Sequence, residues 1–267
     1  MRFTVLPRRW ALLACLVLPC SANAFFPFDF DDADTEGKGK SEIEMSFAYQ
    51  KDRAIVLNDA GDEMEVTTDA SNTLLWSYTY GVTDNLDVFI NKARQGNPYA
   101  GWQNTQVGAQ WLFAGDQNRG WSFALMPSLI LPVSQRSEAK GLGSAKTNFE
   151  LIWISSYVSS DYELHFNVGY SGNRYSRSIE DEPRRHLWSV SVAPIWVLNE
   201  QWSLGVSLGA ATNTDDTGKY TPFGQFGISY TPIKDVQVGL GVMVSPNWRK
   251  TDGSRSTMMT AGLSYDF

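Results

Sequence analysis

Side chains able to do chemistry are few in this chain. His165 and His186 are the only two histidines. Glu163, His165 and Asn167 alternate along one run, so on an extended strand all three share a face. His165 would face inward, a poor place to meet lipid acyl chains, and catalysis also needs a nucleophile within hydrogen-bond reach of a histidine. On the strand arrangement derived below, Ser155 lies two strands from His186 and near the opposite end. No nucleophile is expected near either ring, so a lipid hydrolase is the weaker reading. Zinc-protease, Walker and Gly-x-Ser-x-Gly patterns are absent from the sequence. The chemistry left is that of carboxylates, and it calls for no cofactor and no metal.

The elements that carry those carboxylates follow from the rest of the chain. Arg2, Arg8 and Arg9 precede the apolar run 10–18, and Ala22-Asn23-Ala24 follows it. That is the layout of a secretory signal peptide cleaved after Ala24. Cys15 and Cys20, the only cysteines, fall inside it. Losing three of 22 basic residues and none of 29 acids leaves 19 against 29, a net charge of −10. So acidic a chain is a poor partner for nucleic acid. With 43% hydrophobic and 13% aromatic residues, it is not disordered either.

After Glu42 the apolar residues recur at every second position in twelve runs. Ile43, Met45, Phe47 and Tyr49 open the series; Trp76, Tyr78, Tyr80 and Val82, then Leu86, Val88 and Ile90, continue it. Thr257, Met259, Ala261, Leu263, Tyr265 and Phe267 close it. Period two means strands with unlike faces. The face opposite the bulky residues carries Ser203, Gly205, Ser207 and Gly209 in one run and Gln237, Gly239 and Gly241 in another. Large apolar groups on one side and small polar ones on the other suit a closed barrel in lipid rather than a soluble sandwich. Short connections at 83–85, 114–120, 158–160, 198–201 and 231–235 alternate with long ones at 51–71, 95–103, 132–145, 171–185, 211–218 and 245–255. Trp76, Tyr80, Trp121, Tyr157, Tyr162, Trp196, Trp202 and Tyr230 fall near strand ends, where interfacial girdles sit. The expectation is therefore an all-β transmembrane up-and-down barrel of about twelve strands over 41–267, with both termini in the periplasm of a bacterial outer membrane.

With the bulky residues outward, Glu42, Glu44, Asp87, Glu150 and Glu163 point inward, with His165, Phe89, Phe223, Met126 and Met243. No Lys or Arg points inward within the strands; Lys146, Arg185 and Lys219 mark the extracellular rim. Acids in a narrow passage focus negative potential and favour cations. The expectation is a narrow passive channel for small cationic or neutral solutes. The competing reading is that inward Ser, Gln and Asn hydrogen-bond the acids and fill the bore. The inward Phe and Met residues read as local filling before they read as an aromatic-binding patch.

Residues 25–40 begin with four Phe among four Asp in Phe25–Asp34. A luminal plug is one reading, but the segment is expected to be a periplasmic tail. Loop residues Arg174, Arg177, Arg184, Arg185, Arg249, Lys250 and Arg255 could meet lipopolysaccharide phosphates, although Glu180, Asp181, Glu182 and Asp252 offset them. Outer-membrane lipid, lipopolysaccharide and a small solute are thus the expected partners. A non-conducting structural barrel remains the alternative.

The terminal segment Ala261-Gly262-Leu263-Ser264-Tyr265-Asp266-Phe267 resembles the C-terminal signature of bacterial outer-membrane proteins. That resemblance implies recognition of Leu263, Tyr265 and Phe267 by the barrel-assembly machinery. Tyr80-Gly81-Val82-Thr83-Asp84-Asn85-Leu86-Asp87 is similar to a turn of the transporter family of the meta-cleavage pathway of phenol degradation. Pro127-Ser128-Leu129-Ile130-Leu131-Pro132-Val133 resembles a strand end of that family, with Ser134 where the family has Gly. Trp102-Gln103-Asn104-Thr105 stands where the family carries a Gly-Asp element. The resemblance implies an outer-membrane transporter with aromatic solutes among its substrates.

Overall fold

The structure, a computed structural model, describes residues 30–57, 63–67, 70–176, 184–212, 220–246 and 255–267. The expected signal peptide, 1–24, and residues 25–29 lie outside the described residues, as does Lys219. Among the loop charges, Arg177, Glu180, Asp181, Glu182, Arg249, Lys250 and Asp252 lie outside them too.

Among the described residues, thirteen strands form one antiparallel sheet. They are β1 (Ser41–Leu57), β2 (Glu63–Thr67), β3 (Ser71–Thr83), β4 (Leu86–Gln95), β5 (Gly101–Gly115), β6 (Gly120–Leu131) and β7 (Asn148–Val158). After them come β8 (Tyr162–Gly172), β9 (His186–Val197), β10 (Trp202–Thr212), β11 (Tyr220–Ile233), β12 (Val236–Pro246) and β13 (Arg255–Asp266). Twelve of them pair in sequence order, and β13 returns to β1 from Glu42↔Asp266 to Arg53↔Arg255. Ser41 N–H donates to Phe267 O and Phe267 N–H to Ser41 O, both at 2.8 Å, so the last residue locks the first strand. Closure leaves no open edge within the twelve-stranded wall, the condition for a sheet in hydrocarbon.

Strand β2 is an addition that the twelve-run reading did not contain. β1 runs past the barrel wall and pairs with it from Arg53↔Thr67 to Leu57↔Glu63. The span 51–71 read as loop because Lys51, Asp52 and Arg53 interrupt the alternation. The long connection 132–147 holds a single helical turn, α1 (Gln135–Glu138), capped by Ser134, whose side chain accepts from Ser137 N–H.

The two faces of the wall separate as alternation requires. On β7, Ile152 and Ile154 are 3% and 0% exposed while Trp153 between them is 42% exposed. Leu208 is 55% exposed and its neighbour Ser207 is fully buried. Bulky residues facing outward in a continuous belt would be untenable in water and suit acyl chains. Barrels of this kind turn in the periplasm through short connections. The short turns, the start of β1 at Ser41 and the end of β13 share one end, which is accordingly assigned to the periplasm.

Two prolines interrupt the ladder. β5 and β6 pair at Gly108↔Ser128 and again at Trp111↔Leu125, skipping Pro127. β9 and β10 pair at Gly205↔Ile195 and again at Leu208↔Val192, skipping Pro194. Proline has no N–H to offer, so each gap falls on the side its nitrogen faces.

Candidate functional site in the barrel lumen

Residues 30–36 do not hang in the periplasm as the sequence reading expects. They rise into the barrel and occupy its periplasmic half. Phe30, Asp31, Ala33 and Thr35 are buried at 2%, 1%, 0% and 6% exposure. Phe30 packs with Ala193 and Ile195, and Ala33 with Phe89, Ala124, Met126, Ile152 and Ile154. Full burial of a phenylalanine contributes about 1.5–3 kcal/mol, which offsets part of the cost of ordering the segment; the hydrogen bonds of its backbone offset more.

That backbone is satisfied by inward polar side chains. Ala33 N–H donates to Ser156 Oγ at 2.9 Å. Gln110 Nε2 donates to the carbonyls of Asp32 and Asp34, at 3.1 and 2.5 Å. Gln117 accepts from Thr35 N–H at 3.1 Å and donates back to Thr35 O at 3.0 Å. Glu36 N–H donates to Asp87 Oδ2 at 2.9 Å. An irregular backbone at membrane depth is tolerated only where protein supplies such partners.

The luminal candidates of the sequence reading occupy strand positions that alternate with the exposed bulky residues. Glu44, Asp87, Phe89, Glu150 and His165 are buried inside, and Glu42, Glu163 and Phe223 are half-buried at inward positions. Glu42 accepts from Ser264 Oγ at 2.5 Å and Glu150 from Gln106 Nε2 at 2.9 Å. The acids are therefore partly engaged by inward hydroxyls and amides. Phe89 lies over Gly108 and Phe223 over Gly209. A Cβ at Gly108 or Gly209 would come within 2.4 or 2.3 Å of the ring, so the close approach of each ring requires glycine there. Phe89 and Met126 belong to the apolar cluster around Ala33, which agrees with local filling.

One expectation is overturned. A hydroxyl does lie within reach of an imidazole: Ser156 Oγ is 2.9 Å from His165 Nδ1, and His165 Nε2 is 3.3 Å from Glu163 Oε2. Ser156 sits next to the Ser155 of the sequence reading, but on the inner face and level with His165 through the β7–β8 register. Nucleophile, imidazole and acid are thus in line, yet the hydroxyl is fully buried and already accepts from Ala33. Phe30 stacks over the imidazole at 4.8 Å and 19°. The trio serves as the socket of the N-terminal segment.

At the periplasmic mouth, Glu36 is surrounded by burial and by the carboxylates of Glu42, Asp266, Asp87 and Asp32. Loss of hydration first, and those charges second, push its carboxyl up to about 8. At the other end the connection 132–147 is tied down. Asn104 accepts from Ser144 N–H at 2.8 Å and donates to Leu131 O at 2.6 Å. Glu138 accepts from Ala145 N–H at 2.9 Å and Ser176 N–H at 3.1 Å. Lys146 and Arg185 are exposed at this rim. Leu263, Tyr265 and Phe267 face lipid at 40%, 48% and 56% exposure.

Phe30, Ala33, Gln110, Gln117 and Ser156 are the residues that sequence reasoning missed. The signal was the four Phe packed into an acidic segment, a composition too apolar for a free tail.

Several solved structures share this fold. The COG4313 outer-membrane channel from Pseudomonas putida F1 aligns with a TM-score of 0.65 at 11% identity, over 88% of this chain and 98% of that one. The NanC porin aligns with a TM-score of 0.57 at 10% identity, over 84% and 98%. A mutant of the TodX monoaromatic hydrocarbon channel gives 0.51 at 10%, over 88% and 92%. At such identities the likeness is one of fold. No curated protein matches the chain in sequence. The family model described as "Putative MetA-pathway of phenol degradation" matches residues 57–267, most of the barrel, and the chain belongs to that family.

Proposed function

We propose that this protein is an outer-membrane channel for passive uptake of small neutral or cationic solutes, phenol-like aromatics among them. The observation that carries this reading is the sign of the inner wall. Among the described strand residues, no Lys or Arg occupies an inward position, while Glu42, Glu44, Asp87, Glu150 and Glu163 do. Such a wall repels anions and is indifferent to neutral molecules. Above the N-terminal segment the bore is lined by amides and hydroxyls, including Gln95, Gln106, Ser128, Asn148 and Ser171. These groups can exchange hydrogen bonds with a phenolic hydroxyl. The family description and the monoaromatic channels that share the fold support aromatic solutes.

In this reading the segment 30–36 closes the periplasmic half, so transport requires it to yield. The test is a planar bilayer under a salt gradient, using the refolded mature barrel with residues 30–36 deleted. A reversal potential of cation-selective sign is expected, together with faster liposome permeation by phenol than by benzoate. Anion selectivity, or benzoate passing as fast as phenol, would overturn the proposal.

A further inference from the structure

The outer wall carries very few charges, and their distribution is one-sided. Among strand residues whose side chains are described, the lipid-facing Lys, Arg, Asp and Glu positions number four: Lys51, Arg53, Lys92 and Arg94. All four are basic, and all lie toward the extracellular ends of β1 and β4. A cation on the lipid face of a barrel costs about 2–4 kcal/mol at the midplane and about 0–1 near the interface. Lys92 stands three residues below the end of β4, deep enough for its position to carry a cost.

Lys92 is also held in place. Its ammonium donates to Gln103 O at 2.9 Å and to Thr105 Oγ1 at 2.6 Å, and it lies 6.0 Å from the centre of the Trp102 ring. Two of its three N–H donors are thereby used, and the third is free to meet an anion. Arg94, the next outward residue on the strand, is exposed and pairs in register with Trp102 on one side and Leu74 on the other. Alternate residues on a strand are about 6.6 Å apart, so both cations can reach one tetrahedral anion. Trp76, Tyr99 and Trp102 are 47%, 46% and 51% exposed around them and offer flat faces to a sugar ring.

We infer that Lys92 and Arg94, framed by Trp76 and Trp102, clamp a phosphate of the lipid A headgroup in the outer leaflet. The complementarity is of charge and of depth. The patch is cationic, with no acid beside it among the described lipid-facing positions, and it lies toward the extracellular end of the wall. A phosphorylated glucosamine lipid supplies the anion and a sugar face together, with acyl chains to lie along Val88 and Ile90 below.

The test titrates the refolded full mature chain, in neutral detergent, with bis-phosphorylated lipid A and with the same lipid stripped of phosphate. Binding is read as protection of the heat-modifiable gel band. The phosphorylated lipid should bind at least about tenfold more tightly, the factor expected for one charge-assisted hydrogen bond. Lys92→Gln combined with Arg94→Gln should remove that preference. Lys51→Gln combined with Arg53→Gln should keep it. Should the double variant on β4 fold poorly, the exposed Arg94→Gln alone should still weaken the preference severalfold. Equal affinity for the two lipids, an unchanged preference in both β4 variants, or equal protection by inorganic phosphate would overturn the assignment. Solute permeation is untouched by these variants, so a failure here is distinct from a failure of the channel reading.

Discussion

Toward the periplasm the inward positions hold Phe89, Ile154, Ala193 and Ile195, and the chain's own N-terminal segment is folded onto them. Toward the outside they hold Gln95, Gln106, Ser128, Asn148 and Ser171, residues suited to water. The same β4, β6, β7 and β9 cross both halves, so strand type cannot explain the contrast. What differs is which residue occupies the inward step of each strand. An apolar inward residue in a wet bore is a liability unless something covers it, and here Phe30 and Ala33 do so. The periplasmic half behaves as a small apolar core, the extracellular half as a network of buried amides and hydroxyls.

The largest effect should come from removing the cover. Deleting residues 30–36 exposes the apolar patch and opens the narrow half, so single-channel conductance should rise from near silence to steady openings. Phe30→Ala is the milder version. Truncating a packed aromatic costs about 3–5 kcal/mol, and even the low end shifts the docked-to-released ratio by about a hundredfold. Planar-bilayer recordings of wild type, Phe30→Ala and the deletion should therefore rank in that order of open probability. Equal open probability in all three would mean that the extracellular half, not the core, limits flow.

The contrast should also depend on pH. Glu36 holds its proton up to about 8 when docked, against an ordinary value of 4.5 when released. Docking is thus fully favoured below about 4.5 and weakens as pH climbs through 8, where the ionised group meets Asp87, Glu42, Asp266 and Asp32. Open probability should increase between pH 5 and pH 8.5. Glu36→Gln removes this group's share and should flatten the rise. A falling profile would mean that another group controls the segment.

Alternation made the wall legible: a residue such as Trp153 between Ile152 and Ile154 declares its side through period two alone. The inward acids followed from the same parity. The N-terminal segment was not legible, because its partners are 82 residues away at Gln117 and 123 away at Ser156, and no local pattern couples them. The Ser156–His165 contact was missed for a related reason. Parity gives the face of a strand, but only the β7–β8 register gives the level at which two side chains meet. Strand β2 was hidden by the charges that end the lipid-facing belt.

The smallest effect tests whether the two halves differ in chemistry as well as in packing. If Ser156 serves only to accept from Ala33, Ser156→Ala leaves one buried N–H unmet, at about 1–3 kcal/mol of docking. Open probability should then rise less than in Phe30→Ala. A hydrolase would demand more of the same hydroxyl: exposure, and a lone pair free for attack. Ser156 has no exposed surface, and one of its two lone pairs already accepts from Ala33. An alkyl fluorophosphonate should therefore leave wild type unlabelled. The deletion of 30–36 is the sharper case, because it bares Ser156, His165 and Glu163 to the bore together. There too no label is expected, since Nδ1 rather than Nε2 faces the serine and neighbouring β7 backbone N–H groups are committed to the sheet. Covalent labelling of the deleted barrel, lost in Ser156→Ala, would mean that the socket is a masked catalytic site.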